Sequence, residues 1–258
     1  MRALAVIPAR FGSTRFPGKA LAPLGGRPVI AHVIANARRA ARVGRLVVAT
    51  DDERIGAAAE SAGAAWRMTP SDLPSGSDRA AQVSREIAGE GWQHEIVVNI
   101  QGDEPFLPAE AIDRCIGHLE ERRDADVATL ATPASEAEFL APDVVKIVLD
   151  LGGCAVYFSR AGIPFPRRRA EFAPLKHIGL YAFRRAYLER FVKLRRSPLE
   201  RAEELEQLRA IDDGARIAVA VGSWEVQGID TPEDLIRAEE RLRRTGAGLP
   251  EEARKENA

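Results

Sequence analysis

Apolar residues follow two different periods along this chain. Short, nearly unbroken apolar runs at 3–7, 45–50 and 95–100 have the length and β-branched content of buried strands. Between them the spacing changes to that of an amphipathic helix. Val29, Ile30, Val33, Ile34 and Ala37 fall on one helical face, with Pro28 at the first helical position. Asp52 is placed to cap a second helix that runs to about Ala62 and stops at Gly63. A short strand over 64–67 and helices over 77–88 and 108–121 continue the alternation. Strands that are apolar throughout, alternating with helices, predict an α/β fold: a mostly parallel sheet with helices on both faces.

The pattern then changes. Segments 127–132, 144–149, 155–158 and 177–183 are strand-like and helices become scarce, which predicts a smaller mixed or antiparallel β-rich portion over about 125–195. Helical spacing returns at 186–192 and 199–211, the latter with Leu199, Ala202, Leu205 and Leu208 on one side. A last strand over 216–221 precedes Thr231 and Asp234, which have the form of a capping box, with Pro232 at the first helical position. That helix is expected to end near 243. Residues 1–243 are therefore expected to form one domain, and the charged stretch 244–258 a frayed tail.

Composition narrows the class. A chain of 258 residues, 45% hydrophobic and 29% charged, is neither disordered nor a bundle of membrane spans. No apolar run approaches membrane length and no apolar leader precedes the first strand, so no membrane insertion and a cytoplasmic location are expected. Cys115 and Cys154 are too few for a disulfide framework or a zinc cage. Lys plus Arg 37 against Asp plus Glu 38 leave a net charge of −1, so any anion site has to come from local clustering, and nucleic acid is not an expected partner.

Such clustering occurs directly after the first strand. Arg10, Arg15 and Lys19 lie among Gly12, Ser13, Thr14 and Gly18, a loop whose charges all have one sign. Backbone N–H groups and cations converging in this way suit a polyphosphate, and a solvated basic loop is the plain alternative. Neither G-x-G-x-x-G after the first strand nor G-x-x-x-x-G-K-S/T is present, which argues against a dinucleotide dehydrogenase and a P-loop NTPase. Asp103 and Asp230 each follow a strand-like run and a nearby glycine. Single carboxylates in such places suit Mg²⁺, which takes one or two of them and leaves its other positions to phosphate and water. A turn residue at 103 and a helix cap at 230 remain open. His177, Gly179 and Tyr181 share one strand face with room for a ligand, although an ordinary half-exposed strand fits equally. Glu206 and Gln207 lie off the apolar line of their helix, and the three arginines within 164–170 look like a solvated loop. No nucleophile is paired with a base by spacing.

Together these blocks carry a resemblance. Ile7-Pro-Ala-Arg-Phe-Gly-Ser-Thr-Arg-Phe-Pro-Gly-Lys19 resembles the nucleotide-binding signature of the 3-deoxy-manno-octulosonate cytidylyltransferases, also called CMP-KDO synthetases. Val48-Ala-Thr-Asp51, Ser75-Gly-Ser-Asp-Arg79, Val98-Asn-Ile-Gln-Gly-Asp-Glu-Pro105 and Tyr157-Phe-Ser-Arg-Ala161 follow in the family's order. So do His177-Ile-Gly-Leu-Tyr181, Leu205-Glu-Gln-Leu-Arg209 and Asp230-Thr-Pro-Glu-Asp-Leu235. The first block alone is shared with CMP-sialic acid synthetases, and the blocks around His177 and Glu206 narrow it. The resemblance implies a Rossmann-like nucleotidyltransferase, a homodimer paired through its β-rich part, that joins CTP and a 2-keto-3-deoxy sugar acid for lipopolysaccharide inner-core synthesis. It implies that Arg10, Ser13, Arg15 and Lys19 hold the triphosphate, with Arg10 and Lys19 catalytic, and that Gly76, Arg79 and Gln101 contact the nucleotide. It also implies that catalytic Asp103 and Asp230 carry Mg²⁺, and that Arg160, His177, Tyr181, Glu206 and Gln207 bind the sugar acid, Arg160 at its carboxylate. Ser77, Lys176 and a short 164–177 stretch depart from the family pattern around the sugar. An 8-amino octulosonate or sialic acid is therefore an alternative substrate, and a non-catalytic sugar-nucleotide sensor an alternative function.

Overall fold

The computed structural model describes residues 3–13, 15–168 and 173–245, with Thr245 described by its backbone alone. Strands β1 (Ala3–Ala9), β4 (Val43–Thr50), β5 (Ala65–Met68) and β6 (Ile96–Ile100) alternate with helices α1 (Val29–Arg39), α2 (Glu53–Ser61) and α3 (Gly76–Gly89). A short hairpin, β2 (Pro23–Leu24) with β3 (Arg27–Pro28), precedes α1. After β6 come α4 (Ala109–Glu121), β7 (Val127–Pro133), α5 (Glu136–Leu140), β8 (Lys146–Leu149), β9 (Ala155–Ser159) and β10 (Leu175–Arg184). The chain ends with α6 (Arg185–Phe191), α7 (Pro198–Glu203), α8 (Gln207–Asp212), β11 (Ile217–Val221) and α9 (Pro232–Thr245). The tail expected over 244–258 lies outside the described residues except for 244 and 245, which end α9. Thr14 of the basic loop and residues 169 and 170 of the arginine-rich loop also lie outside them.

The main sheet runs β11-β7-β10-β6-β1-β4-β5, with β8 paired to the start of β10 and β9 paired to β8. β1 is parallel to β4 and β6, and β4 to β5, as the apolar strands require. The β-rich portion is mixed: β10 runs antiparallel to both β6 and β7, while β11 is parallel to β7. Strand alternation divides the core into two layers. Ala5 and Ile7 face Ile30, Ile55 and Ile112 of α1, α2 and α4, whereas Leu4 and Val6 face Val83, Leu188 and Leu208 of α3, α6 and α8. Both faces of β1 are thereby buried, which is why it carries no polar side chain. A third, smaller cluster docks Ala238 and Leu242 of α9 on Leu24 and Val29.

Most expected elements recur within one or two residues of their predicted ends. One does not. The helix predicted over 199–211 is two helices, because Glu204 adopts a left-handed conformation (φ 52°, ψ 45°) that terminates α7. The break turns Leu205 and Leu208 together into the core and leaves the Glu203 carbonyl accepting from Arg160 Nε at 2.9 Å.

From β1 the chain winds through β4 to β5 on one side, then returns through α3 to β6 on the other. The order thus reverses at β1 and β6, where a crevice opens at the strand ends. Gly102 keeps those ends together: a Cβ there would stand 2.8 Å from the Pro8 carbonyl oxygen and 3.3 Å from Ala9 Cβ. Gly102→Ala is expected to lower stability by about 1–3 kcal/mol through this backbone clash. A denaturant midpoint equal to that of the parent chain would show that the two ends spread freely.

Candidate active site

The crevice contains a cavity of about 310 Å³. Arg10, Ser13, Arg15 and Lys19 enter it from the loop after β1, Gly76 and Arg79 from the start of α3, and Gln101 and Asp103 from the end of β6. Asp230 completes it from the turn before α9. All nine residues singled out for nucleotide, metal and catalysis are therefore brought to one place.

Its centre is an ion cluster. Lys19 Nζ donates to Asp103 Oδ2 and, at 2.9 Å, to Asp230 Oδ1, and Arg15 Nη2 lies 3.0 Å from Asp230 Oδ2. Burial alone would lower the Lys19 pKa, but attraction and hydrogen bonds from Asp103 and Asp230 outweigh it and hold the ammonium above its usual value. The carboxylates are positioned from behind: Ile229 N–H donates to the Asp103 carbonyl at 2.9 Å, joining the two segments. The expected capping box also forms, and Asp234 Oδ2 accepts from the backbone N–H groups of Thr231 at 2.9 Å and Asp230 at 3.1 Å.

The basic loop hangs on a residue that sequence reasoning noticed only as a polar strand end. Asp51 Oδ1 accepts from Phe11 N–H at 3.0 Å, and the Phe11 carbonyl in turn accepts from Ser13 and Gly18 N–H, both at 2.9 Å. Asp51 Oδ2 accepts from Arg79 Nη2 at 3.0 Å, and Arg79 also donates to Thr69 Oγ1. With its side chain 3% exposed, Arg79 is a braced wall of the cavity. Arg10 has no ion-pair partner among the described residues and lines the cavity from an exposed position.

Two carboxylates sharing one ammonium show that Asp103 and Asp230 converge on a common cation position with hard oxygen donors. Among the described residues no group of three or more His, Cys, Asp or Glu forms a metal cage. A pair of carboxylates fits Mg²⁺, whose other positions go to phosphate and water. Beside them Glu104 is a third carboxyl that the sequence reading passed over. Burial first, then the charges of Asp103 and Asp230, push its pKa up to about 8, and its Oε2 has no hydrogen-bond partner among the described residues.

The residues expected to hold a sugar acid do not line this cavity. Tyr181, Glu206 and Gln207 border a separate recess of about 10 Å³ together with Ser77. His177 packs beside Tyr181, ring centroids 5.3 Å apart, while Ile178 and Leu180 point into the other core layer, so the expected alternation of β10 holds. Glu206 accepts from Ser75 Oγ at 2.7 Å and Ser77 Oγ at 3.0 Å, the residues flanking Gly76. Arg160 stands apart, held by the carbonyls of Glu203 and Pro142. The two groups approach where a Cβ on Gly179 would lie 3.8 Å from Gln101 Cγ.

A family model described as cytidylyltransferase matches residues 4–217. The 3-deoxy-manno-octulosonate cytidylyltransferase of Geobacter sulfurreducens is 44% identical, across 94% of this chain and all of that protein. That of an Anaeromyxobacter species is 48% identical, across 92% of this chain and 95% of its own length. The chain belongs to the 3-deoxy-manno-octulosonate cytidylyltransferase family. A solved structure of CMP:2-keto-3-deoxy-manno-octonic acid synthetase complexed with CTP is 37% identical and superimposes with a TM-score of 0.88, over 95% of this chain and 99% of that one. The fold and family expected from the sequence motifs are thus both present in this member.

His177, one of the blocks that suggested the family, has an electrostatic signature of its own. Burial pushes its pKa down to about 3. Thr129 donates to the Leu180 carbonyl at 2.8 Å, so the Thr129 oxygen is left to accept from His177 Nε2–H, also at 2.8 Å. Below the ordinary histidine value of 6.5 the unfolded chain takes up a proton that the folded chain refuses. The resulting stability is complete above that pH and is lost at up to about 1.4 kcal/mol per unit as pH falls towards the folded value. His177→Gln is expected to flatten this acid limb in urea titrations repeated at successive pH values. Parallel curves for the two proteins would overturn the neutral assignment.

Proposed function

We infer that this protein transfers the cytidylyl group of CTP to the anomeric hydroxyl of 3-deoxy-manno-octulosonate, releasing pyrophosphate and a CMP-sugar. The observation that carries this is the meeting of the basic loop with Asp103 and Asp230 in one cavity, in a chain whose relatives bear that activity in their names. Arg10, Ser13, Arg15 and Lys19 bind the triphosphate, with the β- and γ-phosphates against the loop. Gly76, Arg79 and Gln101 bound the nucleoside, where Gly76 lets the chain pass close beside Pro8.

The hydroxyl oxygen attacks the α-phosphorus as its proton passes to water, the bond to the bridging oxygen breaks, and the electron pair leaves with pyrophosphate. Phosphoryl chemistry of this kind needs placement and charge more than covalent help, which agrees with the lack of a paired nucleophile and base. Asp103 and Asp230 would hold Mg²⁺, which would neutralise the α-phosphate and make the attacking hydroxyl more acidic. The cations of the loop stabilise the charge that builds on the leaving group. Arg160 meets the sugar carboxylate, and His177, Tyr181, Glu206 and Gln207 supply hydrogen bonds to its hydroxyls. The product would feed lipopolysaccharide inner-core assembly from a cytoplasmic enzyme. Among the described residues no helix is long and apolar enough to cross a membrane. A homodimer is supported by exposed Leu151 and Val156 on the β-rich portion, with exposed Val221 at the end of β11.

Pyrophosphate release should be measured with each of the four nucleoside triphosphates crossed with octulosonate, its 8-amino analogue, sialic acid and a sugar 1-phosphate. Release confined to CTP with octulosonate is expected, and release with a sugar 1-phosphate would overturn the assignment. Asp103→Asn and Asp230→Asn are each expected to retain the parent circular dichroism and lose about a hundredfold or more in Mg²⁺-dependent turnover. Near-parental turnover in both would remove the metal role.

A further inference from the structure

Lys146 is among the largest completely buried side chains of the protein, at 0% exposure, and the cavity and recess above do not use it. Its Nζ donates to three backbone carbonyls, those of Ala141 at 2.7 Å, Val144, and Arg160 at 2.6 Å. Three acceptors match the three protons of an ammonium group. No carboxylate lies within ion-pair distance of it among the described residues. A leucine or methionine would fill the same volume without the cost of desolvating a charge. The arrangement therefore calls for a reason beyond packing, and the acceptors supply one. Two of them bracket Pro142, and the third is the backbone of Arg160.

Arg160 is gripped from the other side as well. Glu203 Oε2 accepts from Arg160 N–H at 2.9 Å, and the Glu203 carbonyl accepts from Arg160 Nε at 2.9 Å. The second carboxylate oxygen of Glu203 accepts from Ser159 Oγ, fixing the preceding residue. Arg160 Nη1 completes the set by donating to the Pro142 carbonyl at 3.3 Å, within the turn that Lys146 ties down. Its Nη2 has no acceptor among the described residues. The left-handed Glu204 that divides α7 from α8 lies next to the Glu203 carbonyl in this grip.

We propose that Lys146 and Glu203 are positioning residues, a two-sided clamp that fixes the Arg160 backbone and aims its guanidinium at the carboxylate of the incoming sugar acid. This rests on the function proposed above, in which Arg160 meets that carboxylate. A guanidinium fork recognises a carboxylate through the angle of its plane as much as through its charge. An arginine at the end of edge strand β9 would otherwise sample many orientations, and ordering it would draw on the binding energy of the substrate.

The test is steady-state pyrophosphate release by the full chain, with sugar acid varied at saturating CTP and CTP varied at saturating sugar acid. The variants are Lys146→Met, Glu203→Ala, Arg160→Ala and the double variant Arg160→Ala/Glu203→Ala. Each single variant is expected to raise the KM for the sugar acid about tenfold or more while leaving the KM for CTP within about twofold. The double variant should be no worse than Arg160→Ala alone, because the clamp acts only through Arg160. A general packing defect would instead raise both KM values, or add its effect to that of Arg160→Ala, and either result overturns the proposal. Should Lys146→Met fail to fold, Glu203→Ala and the double variant decide the matter by the same criteria. An unchanged sugar-acid KM in Arg160→Ala marks a failure of the Arg160 assignment itself and removes the premise. A raised KM in Arg160→Ala with parental values in the clamp variants overturns the clamp alone.

Discussion

Asp103 and Asp230 lie more than a hundred residues apart in the sequence, and two carboxylates aimed at one point repel each other unless a cation stands between them. In this structure the cation is Lys19. The Lys19 ammonium joins the loop after β1, the turn after β6 and the lead into α9, adding a side-chain tie to the parallel pairing of β1 with β6 and to the Ile229–Asp103 backbone hydrogen bond. The same geometry explains the order of events in the proposed reaction. A triphosphate brings more negative charge than one ammonium neutralises. Lys19 and Arg15 would turn to the phosphates as a second cation took over the pairing of the aspartates, whereas Arg10 is already without an ion-pair partner among the described residues. Under the proposed function, charge balance would couple nucleotide binding to metal binding at these two carboxylates.

That cluster depends on backbone placement more than on the charges themselves. Gly102 lets the end of β6 lie against Pro8. The capping box of α9 fixes Asp230 by its own N–H, and the Phe11–Asp51–Arg79–Thr69 chain ties the basic loop to the ends of β4 and β5 and to α3. Arg79 shows how a site residue can serve by structure. Its charge is met by Asp51 inside the protein, so the cavity wall that it forms is stiff, and the loop it supports is held from below.

The sheet and its helices were legible because each rests on local pattern: apolar runs for β1, β4 and β6, and capping chemistry at Asp52 and Thr231. What was not legible depends on contacts between distant residues. Nothing in the spacing of Leu199, Ala202, Leu205 and Leu208 announces that Glu204 turns left-handed, or that the Glu203 carbonyl beside it accepts from Arg160, more than forty positions upstream. Lys146 looks like one more polar residue in an alternating strand until β9 and the 141–144 turn close over it. Asp51 was visible as a strand-end carboxylate, but its partner Phe11 is read by its backbone N–H, which leaves no mark on residue type. Glu104 follows Asp103 inside a turn motif, and only its burial sets it apart.

The separation between the nucleotide cavity and the sugar residues has a physical reading. Glu206 occupies the N-terminal end of α3, where Ser75 and Ser77 hold its carboxylate on either side of Gly76. Burial raises its pKa, and the Ser75 hydrogen bond and the Arg209 guanidinium oppose that rise. The recess beside it is too small for a sugar. A sugar acid that claims Glu206 must therefore draw it away from the two serines, and the turn bearing Gly76 would feel that change at the wall of the nucleotide cavity. Gln101 and Gly179 provide the second point of contact between the two regions. Under the proposed function, a bound sugar acid would be felt at the nucleotide site through these two segments, and Gly76, where a Cβ would stand 3.0 Å from Pro8 Cγ, lets the first of them lie close to β1.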